Sequence, residues 1–254
     1  MKVTRISIPR QALDRLSPEH RDFFLLAGHI QNEINVLHKT FACCLNTSPE
    51  TDRTNLESLA DGMQAMIFAR TLAGKLSEAW AAVQRGWNAS KLSLMLEARL
   101  HQDAREAIEK LKKYFGRKNT INTVRNSFAF HYSIEALGNS WNRAVDERFD
   151  LVLGGTIGNN LNLGSELFAN AALLESFAAP DFEHAARTLF EDVQSIASCF
   201  VTFLEGVSVA TLNDTLGASW SAYGRDEEVN PSRSLSTVNL PFFHVPEIVT
   251  PEKP

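Results

Sequence analysis

The sequence lacks a surplus of basic residues. Its 254 residues include 25 lysines and arginines against 30 aspartates and glutamates, which gives a formal net charge of −5 at pH 7. A protein that coats nucleic acid through its overall charge is basic, so this balance argues against that class. Any contact with nucleic acid must therefore come from a local basic patch.

Cysteine and long apolar runs are scarce as well. Cys43 and Cys44 are adjacent and Cys199 is distant, a spacing that fits neither a disulfide framework nor a zinc site. The first residues, MKVTRISIPRQALDR, lack the apolar core of a signal peptide. The longest apolar run, near 196–204, has half of the roughly 18 residues needed to span a bilayer. We expect a cytoplasmic protein with no membrane partner.

Helical periodicity is what the sequence does contain. Hydrophobic residues make up 44% of the chain and charged residues 22%, as in soluble globular proteins. Ser17 followed by Pro18 is a typical helix start, since serine caps the first turn and proline suits its first position. The pattern predicts an all-α fold, an up-and-down helical bundle of about five or six helices. The predicted helices cover about 18–45, 55–85, 89–114, 120–146, 165–178 and 181–216.

Two segments depart from this periodicity. Residues 148–164 are rich in glycine, and either a possible short β-hairpin near 149–163 or an ordered loop fits them. Prolines without a period follow residue 230, so we predict a helical domain at 1–228 and an extended C-terminal tail at 229–254. Phe242 and Phe243 are costly to leave in water, and we expect 240–245 to dock on the bundle or on a partner.

The stretch 119–137, NTINTVRNSFAFHYSIEAL, combines an apolar helical face with chemically useful polar residues. Ile121, Val124, Phe128 and Tyr132 follow the spacing of one helical face. The polar residues among them are Asn122, Arg125, Asn126, His131 and Glu135.

Arg125 and Asn126, followed by His131 after five intervening residues, resemble the R-x(4–6)-H motif of the HEPN superfamily. Those helical domains include many metal-independent ribonucleases, and the match covers about twenty residues of this chain. The resemblance implies a metal-independent endoribonuclease, a toxin or defence component that needs no cofactor. It assigns the catalytic roles to Arg125, Asn126 and His131.

The residue types suit that chemistry. Histidine titrates near neutral pH and serves as a general base, here toward a ribose 2′-OH. Arginine binds phosphate oxygens through its planar fork and stabilises the charge that develops on them. Glu135 follows His131 by one helical turn and is expected to orient it, and Asn122 is expected to support the site.

One helix alone does not bring this pair together. Six residues correspond to roughly 600° of rotation, so Arg125 and His131 do not lie directly above one another. The resemblance implies that two copies pack across a two-fold axis and present both pairs to one cleft. We therefore predict a homodimer that uses the motif helix.

A basic segment, 110–118, lies immediately before the motif helix. Lys112, Lys113, Arg117 and Lys118 are the candidate RNA-binding residues, because they would supply a local patch for phosphate. The alternative is that lysines are simply favoured at a helix C-terminus by the macrodipole. Tyr114 and Phe115 could stack on bases, although anchoring of the helix end is the favoured interpretation.

His29 and Glu33 lie one turn apart on the first long helix, the spacing of a metal-binding pair. No second Glu-x-x-His pair accompanies them in the sequence, so a hydrogen-bonded pair within the bundle is favoured and no metal site is predicted. The two residues could still line a cleft beside Arg125.

Two functions of different class thus remain open. The first is the HEPN-like endoribonuclease, with RNA as substrate and an antitoxin or other protein as a possible partner. The second is a non-catalytic helical dimer that acts as a binding or interaction module, in which the same residues are structural. Exposure separates them, since catalysis requires Arg125 and His131 in one solvent-open cleft.

Overall fold

The fold is seen in a computed structural model of the chain. The structure describes residues 1–46, 54–126, 134–143, 149–155, 157–177, 179–217, 223–231 and 233–244. Helices dominate these residues, and the prediction of an all-α fold is confirmed. The helices are α1 (Arg10–Leu13), α2 (Pro18–Leu45), α3 (Asn55–Val83), α4 (Leu92–Leu96), α5 (Gln102–Phe115), α6 (Thr120–Val124), α7 (Ile134–Arg143), α8 (Leu163–Leu174) and α9 (Phe182–Leu216).

The two longest N-terminal helices start at capping residues. The Ser17 side chain accepts a hydrogen bond from the backbone N–H of His20, with Pro18 at the first position of α2. Thr54 and Glu57 form a reciprocal capping box at the start of α3. The predicted bounds of α2 are therefore confirmed, because the signals that define them are local.

After α3 the chain makes a π-helical turn at Gln84–Ala89. A Cβ atom on Gly86 would overlap the ring of Phe23 on α2. Glycine thus lets the aromatic ring approach the backbone closely, beside the fully buried Trp87.

The prediction of one helix over about 89–114 is wrong. The structure has α4, a 3₁₀ turn at Glu97–Arg99, and a separate α5. Leu100 is extended between them, and the side chain of His101 caps α5 by accepting a hydrogen bond from the N–H of Ala104. The sequence concealed the break because the buried apolar residues keep their spacing through it.

Helix α9 forms the centre of the bundle and packs on α2, α3 and α5. Asp181 caps its first turn, and residues such as Phe200, Phe203 and Leu204 are fully buried, so the predicted last helix is confirmed. Among the described residues, α9 is the helix long and apolar enough to cross a membrane, with 56% of its most apolar window buried inside the bundle. The core helix of a soluble protein passes the same test.

A small sheet was not predicted. Strand β1 (Lys2–Ile6) pairs antiparallel with strand β2 (Gly224–Glu228), with Lys2 opposite Glu228 and Ile6 opposite Gly224. The N-terminal ammonium also donates to the Val229 carbonyl at 2.6 Å. The N-terminal strand that precedes the bundle is therefore hydrogen-bonded to the segment that follows α9.

The glycine-rich segment is an ordered loop rather than a regular hairpin of two strands. Val152 and Leu161 exchange both backbone hydrogen bonds, at 2.8 and 2.9 Å, and form an isolated antiparallel bridge. Between them lies a 3₁₀ turn, Ile157–Asn159. One of the two alternatives for this segment, the ordered loop, is thus confirmed.

The tail docks on its own bundle, as expected for 240–244; Val245 lies outside the described residues. The Phe242 N–H donates to Asp61 Oδ1 at 2.7 Å, and Gln64 Nε2 donates to the Leu240 carbonyl at 2.6 Å. Phe242 and Phe243 pack on a small apolar cluster formed by Ala60, Met63, Leu161 and Leu163.

Replacing Phe242 with alanine should lower the free energy of unfolding by about 1–2 kcal/mol, because the ring is only partly buried and a full Phe→Ala cavity costs about 3–5 kcal/mol. Urea denaturation measures this difference. Leu235→Ala, at a tail side chain that is 45% exposed, is the control and should change stability much less. Equal stability of the wild type and Phe242→Ala would contradict docking.

Candidate functional site

The candidate site is built at α6, the start of the motif helix predicted over about 120–146. Within that range the structure has α6 at Thr120–Val124 and α7 at Ile134–Arg143, and 127–133 and 144–146 lie outside the described residues. The Asn119 side chain caps this helix by accepting a hydrogen bond from the N–H of Asn122 at 2.8 Å. Ile121 and Val124 are fully buried and pack α6 on α3 and α9. These contacts fix which residues of α6 face α3.

Tyr114 holds the preceding turn in place. Its hydroxyl donates to Asp192 Oδ2 at 2.7 Å and accepts from the N–H of Ile121. Burial, the hydrogen bond to Asp192 and its negative charge together raise the pKa of Tyr114 well above its usual range. Phe115 stacks on Trp80 with ring centroids 5.1 Å apart. Anchoring of the helix end, the favoured interpretation of Tyr114 and Phe115, is confirmed.

Two predicted site residues pair with neighbours on α3. Asn122 Oδ1 accepts a hydrogen bond from Ser77 Oγ at 2.9 Å. Arg125 donates from Nε and from one terminal nitrogen to Glu78 Oε1, at 3.1 and 2.9 Å. The other terminal nitrogen of Arg125 donates to Asn126 Oδ1 at 3.1 Å.

The guanidinium of Arg125 keeps part of its hydrogen-bonding capacity. Arginine has five N–H donors, and these three bonds use three of them. The side chain is 40% exposed, and its other two N–H groups have no partner among the described residues. Glu78 and Asn126 therefore orient the guanidinium without enclosing it.

A groove of about 230 Å³ between α2 and α3 extends to Glu78, the partner of Arg125. Glu33 lies in this groove, paired with Lys75 at 2.8 Å and with His29 at 3.8 Å. His29 and Glu33 thus line the surface beside Arg125's partner. Within the described ranges, no three His, Cys, Asp or Glu side chains are grouped to hold a metal ion.

The second half of the predicted pair cannot be placed in the same way. His131 lies within 127–133, outside the described residues. Glu135 lies in the first turn of α7 and is exposed. The geometry of the site is therefore defined for Arg125, Asn126 and Asn122, while the role of Glu135 toward His131 stays a prediction.

The basic segment divides into two parts. Lys112 is paired with Glu109 at 2.7 Å and with Glu97 at 3.4 Å. Burial alone would lower the pKa of Lys112, but the hydrogen bonds and charges of these two carboxylates raise it. Lys113, Arg117 and Lys118 are exposed and make no ion pair within the part of the chain that the structure describes.

Sequence patterns missed the residues that orient Arg125. Glu78 precedes it by 47 positions and is one of several acidic residues on long helices. Ser77 carries no signal either, since its contact with Asn122 depends on how α6 packs against α3. Only the tertiary arrangement identifies this pair of contacts.

Comparison of the chain with protein-family models, with curated proteins and with solved structures found no match. The resemblance to the HEPN superfamily therefore rests on the short motif that contains Arg125, Asn126 and His131.

Proposed function

We propose that this protein is a metal-independent endoribonuclease of HEPN-like type, a toxin or defence component that cleaves single-stranded RNA. The observation that carries the proposal is the state of Arg125. Its guanidinium is oriented from two sides by Glu78 and Asn126, remains 40% exposed, and uses three of its five N–H groups on partners among the described residues. A phosphate-binding arginine needs both fixed orientation and free donors.

The proposed reaction uses His131 as general base. The imidazole takes the proton from a ribose 2′-OH, and the 2′ oxygen attacks the adjacent phosphorus. The bond from phosphorus to the 5′ oxygen breaks, the 5′ oxygen takes a proton from water, and the products are a 2′,3′-cyclic phosphate and a 5′-OH. Arg125 stabilises the negative charge that develops on the phosphate oxygens in the transition state.

Two copies of the chain supply the two pairs of residues. Support for an interface near the motif helix comes from large apolar side chains left in solvent on α7 and α8: Ile134 is 84% exposed, Trp141 59% and Leu167 41%. A contiguous exposed apolar patch marks an association site, and α7 and α8, which pack on each other, carry these three side chains.

Light scattering of the wild type at micromolar concentration should give the mass of a dimer, and Ile134→Asp should give a monomer with little activity. The charge would have to be buried in the interface, whereas in a single copy it stays in solvent. Leu94→Asp, at an α4 side chain that is 80% exposed, is the matched control and should leave the dimer intact. A wild-type monomer across the micromolar range would remove this form of the site.

The alternative, a non-catalytic helical dimer, has an observation in its favour. The Glu78 carboxylate already occupies one side of the Arg125 fork, as it would in a structural ion pair. In that case the surface acts only in binding a protein partner, such as an antitoxin.

Incubation of the wild type with single-stranded RNA in EDTA tests the proposal. We expect cleavage with 2′,3′-cyclic phosphate ends, and no cleavage of the same DNA sequence, because DNA has no 2′-OH nucleophile. Intact RNA after incubation with purified dimer would leave the binding module as the better account.

A further inference from the structure

A second pocket lies on the other side of α6. It has a volume of about 310 Å³ and is formed by the start of α6, the turn after α8 and the first turns of α9. We call it the Lys118 pocket. The residues that carry its chemistry are Lys118, Thr123, Ser176, Phe177, His184 and Thr188.

The Lys118 pocket presents nitrogen donors without competing carboxylates. Lys118 and His184 are exposed, and neither makes an ion pair within the described part of the chain. Among the described residues no aspartate or glutamate lines the pocket, and the neighbouring Asp181 carboxylate is used to cap α9 by accepting from the His184 N–H. The α2–α3 groove differs in this respect, because Glu33 and Glu78 line it and Glu33 pairs with Lys75. In a chain of net charge −5, this composition favours an anion locally.

The hydroxyl groups of the pocket act as acceptors. Thr123 Oγ1 donates its proton to the Asn119 carbonyl at 3.0 Å, and Thr188 Oγ1 donates to the His184 carbonyl at 2.8 Å. Ser176 Oγ donates to the Leu173 carbonyl. A hydroxyl has one proton and two acceptor lone pairs, so these oxygens offer lone pairs to a ligand that brings O–H or N–H groups.

A nucleotide has the matching set of groups. Its phosphate is the anion for Lys118 and His184, its ribose hydroxyls and base N–H groups are donors, and its base is a flat ring for the partly buried Phe177. Inorganic phosphate would use the Lys118 and His184 nitrogens alone. A volume of about 310 Å³ is at the lower end of small-molecule sites, which suits a single nucleotide.

We infer that the Lys118 pocket binds one nucleotide of single-stranded RNA. Thr123 lines the pocket, and Arg125, two residues further on, faces α3 on the opposite side of the helix turn, so a bound strand would have to cross α6 to present its next phosphate to Arg125. The choice of RNA as ligand rests on the proposed function. The test of the pocket does not require cleavage.

The test is a titration of ¹⁵N-labelled wild type with uridine 5′-monophosphate and, separately, with inorganic phosphate. The mononucleotide has no phosphodiester bond between nucleotides, so a ribonuclease cannot cleave it. The amide resonances of Thr120, Thr123 and His184 should change in chemical shift and reach saturation as the nucleotide is added. The same resonances should show weaker binding of inorganic phosphate. Lys118→Gln should weaken nucleotide binding about tenfold through loss of a charge-assisted contact. Lys39→Gln, the same charge change at an exposed residue of α2, should not weaken it.

Thr188→Val removes one hydrogen-bond acceptor. It should weaken binding of the nucleotide but leave binding of inorganic phosphate unchanged. Equal binding of nucleotide and phosphate, no shift at these amides, or unchanged binding by Lys118→Gln would each overturn the inference. Cleavage of RNA without nucleotide binding at these amides would refute the pocket and leave the proposed function standing. Nucleotide binding there without RNA cleavage would refute the ribonuclease and leave a nucleotide site.

Discussion

Replacing His131 with alanine is expected to reduce RNA cleavage in EDTA by about 10²–10⁴-fold, the usual contribution of a general base. Without the imidazole, only water accepts the proton of the 2′-OH, and the attacking oxygen is a poor nucleophile. Cleavage of a labelled oligonucleotide under single-turnover conditions measures the chemical step directly. If His131 acts as the general base alone, the melting temperature should change little.

A second histidine provides the control for His131→Ala. His38 lies on α2, is half-buried, and has a pKa lowered by burial. His38→Ala should therefore leave the cleavage rate per folded molecule unchanged. If the wild type leaves RNA intact while His131→Ala lowers the melting temperature, the histidine is a structural residue and the enzyme hypothesis fails.

Replacing Arg125 should also remove most activity, by about 10²–10³-fold for alanine, as for loss of one donor that stabilises a developing oxyanion. Lysine should not restore it. A single ammonium cannot contact Glu78, Asn126 and a phosphate in the fixed planar geometry of a guanidinium. The ratio of kcat/KM for wild type and variant measures the lost stabilisation of the transition state.

Changes at Glu78 separate orientation of Arg125 from neutralisation of its charge. The two hydrogen bonds that Arg125 donates to Glu78 both end on Oε1, and the amide oxygen of a glutamine can accept them as well. Glu78→Gln should thus stay within about threefold of wild type, whereas Glu78→Ala should lose about tenfold because the guanidinium is no longer held. Arg99→Ala breaks another arginine–carboxylate pair, with Asp214, and should not affect cleavage. Full activity of Arg125→Lys would contradict the role of the planar fork.

Those parts of the fold that depend on local signals were predictable. The start of α2 at Ser17 and Pro18 and the start of α9 at Asp181 are capping positions that the sequence displays directly. The break between α4 and α5 was missed because Leu96, Leu100 and Ala104 are all buried and keep a helical spacing across it. The β1–β2 pair was missed because its short, mostly exposed strands are more than 200 residues apart.

In the candidate site, too, the residues with a local sequence signal were predictable and those placed by tertiary packing were not. Arg125 and Asn126 stand out in the sequence through their order relative to His131. Glu78 does not, because a carboxylate on a long surface helix gives no hint of its partner on another helix. The side chains that turn the Lys118 pocket into a set of donors and acceptors likewise come from three separate parts of the chain.

The pairing of β1 with β2 also sets an order of events during synthesis. Lys2 is synthesised before its partner Glu228, which follows more than 220 residues later. At about 5–20 residues per second, the interval is roughly 10–45 s. Throughout that time β1 has no native partner, while helices α2 to α9 can already form and pack. The newly made chain thus acquires its motif helix well before its N-terminal strand is paired.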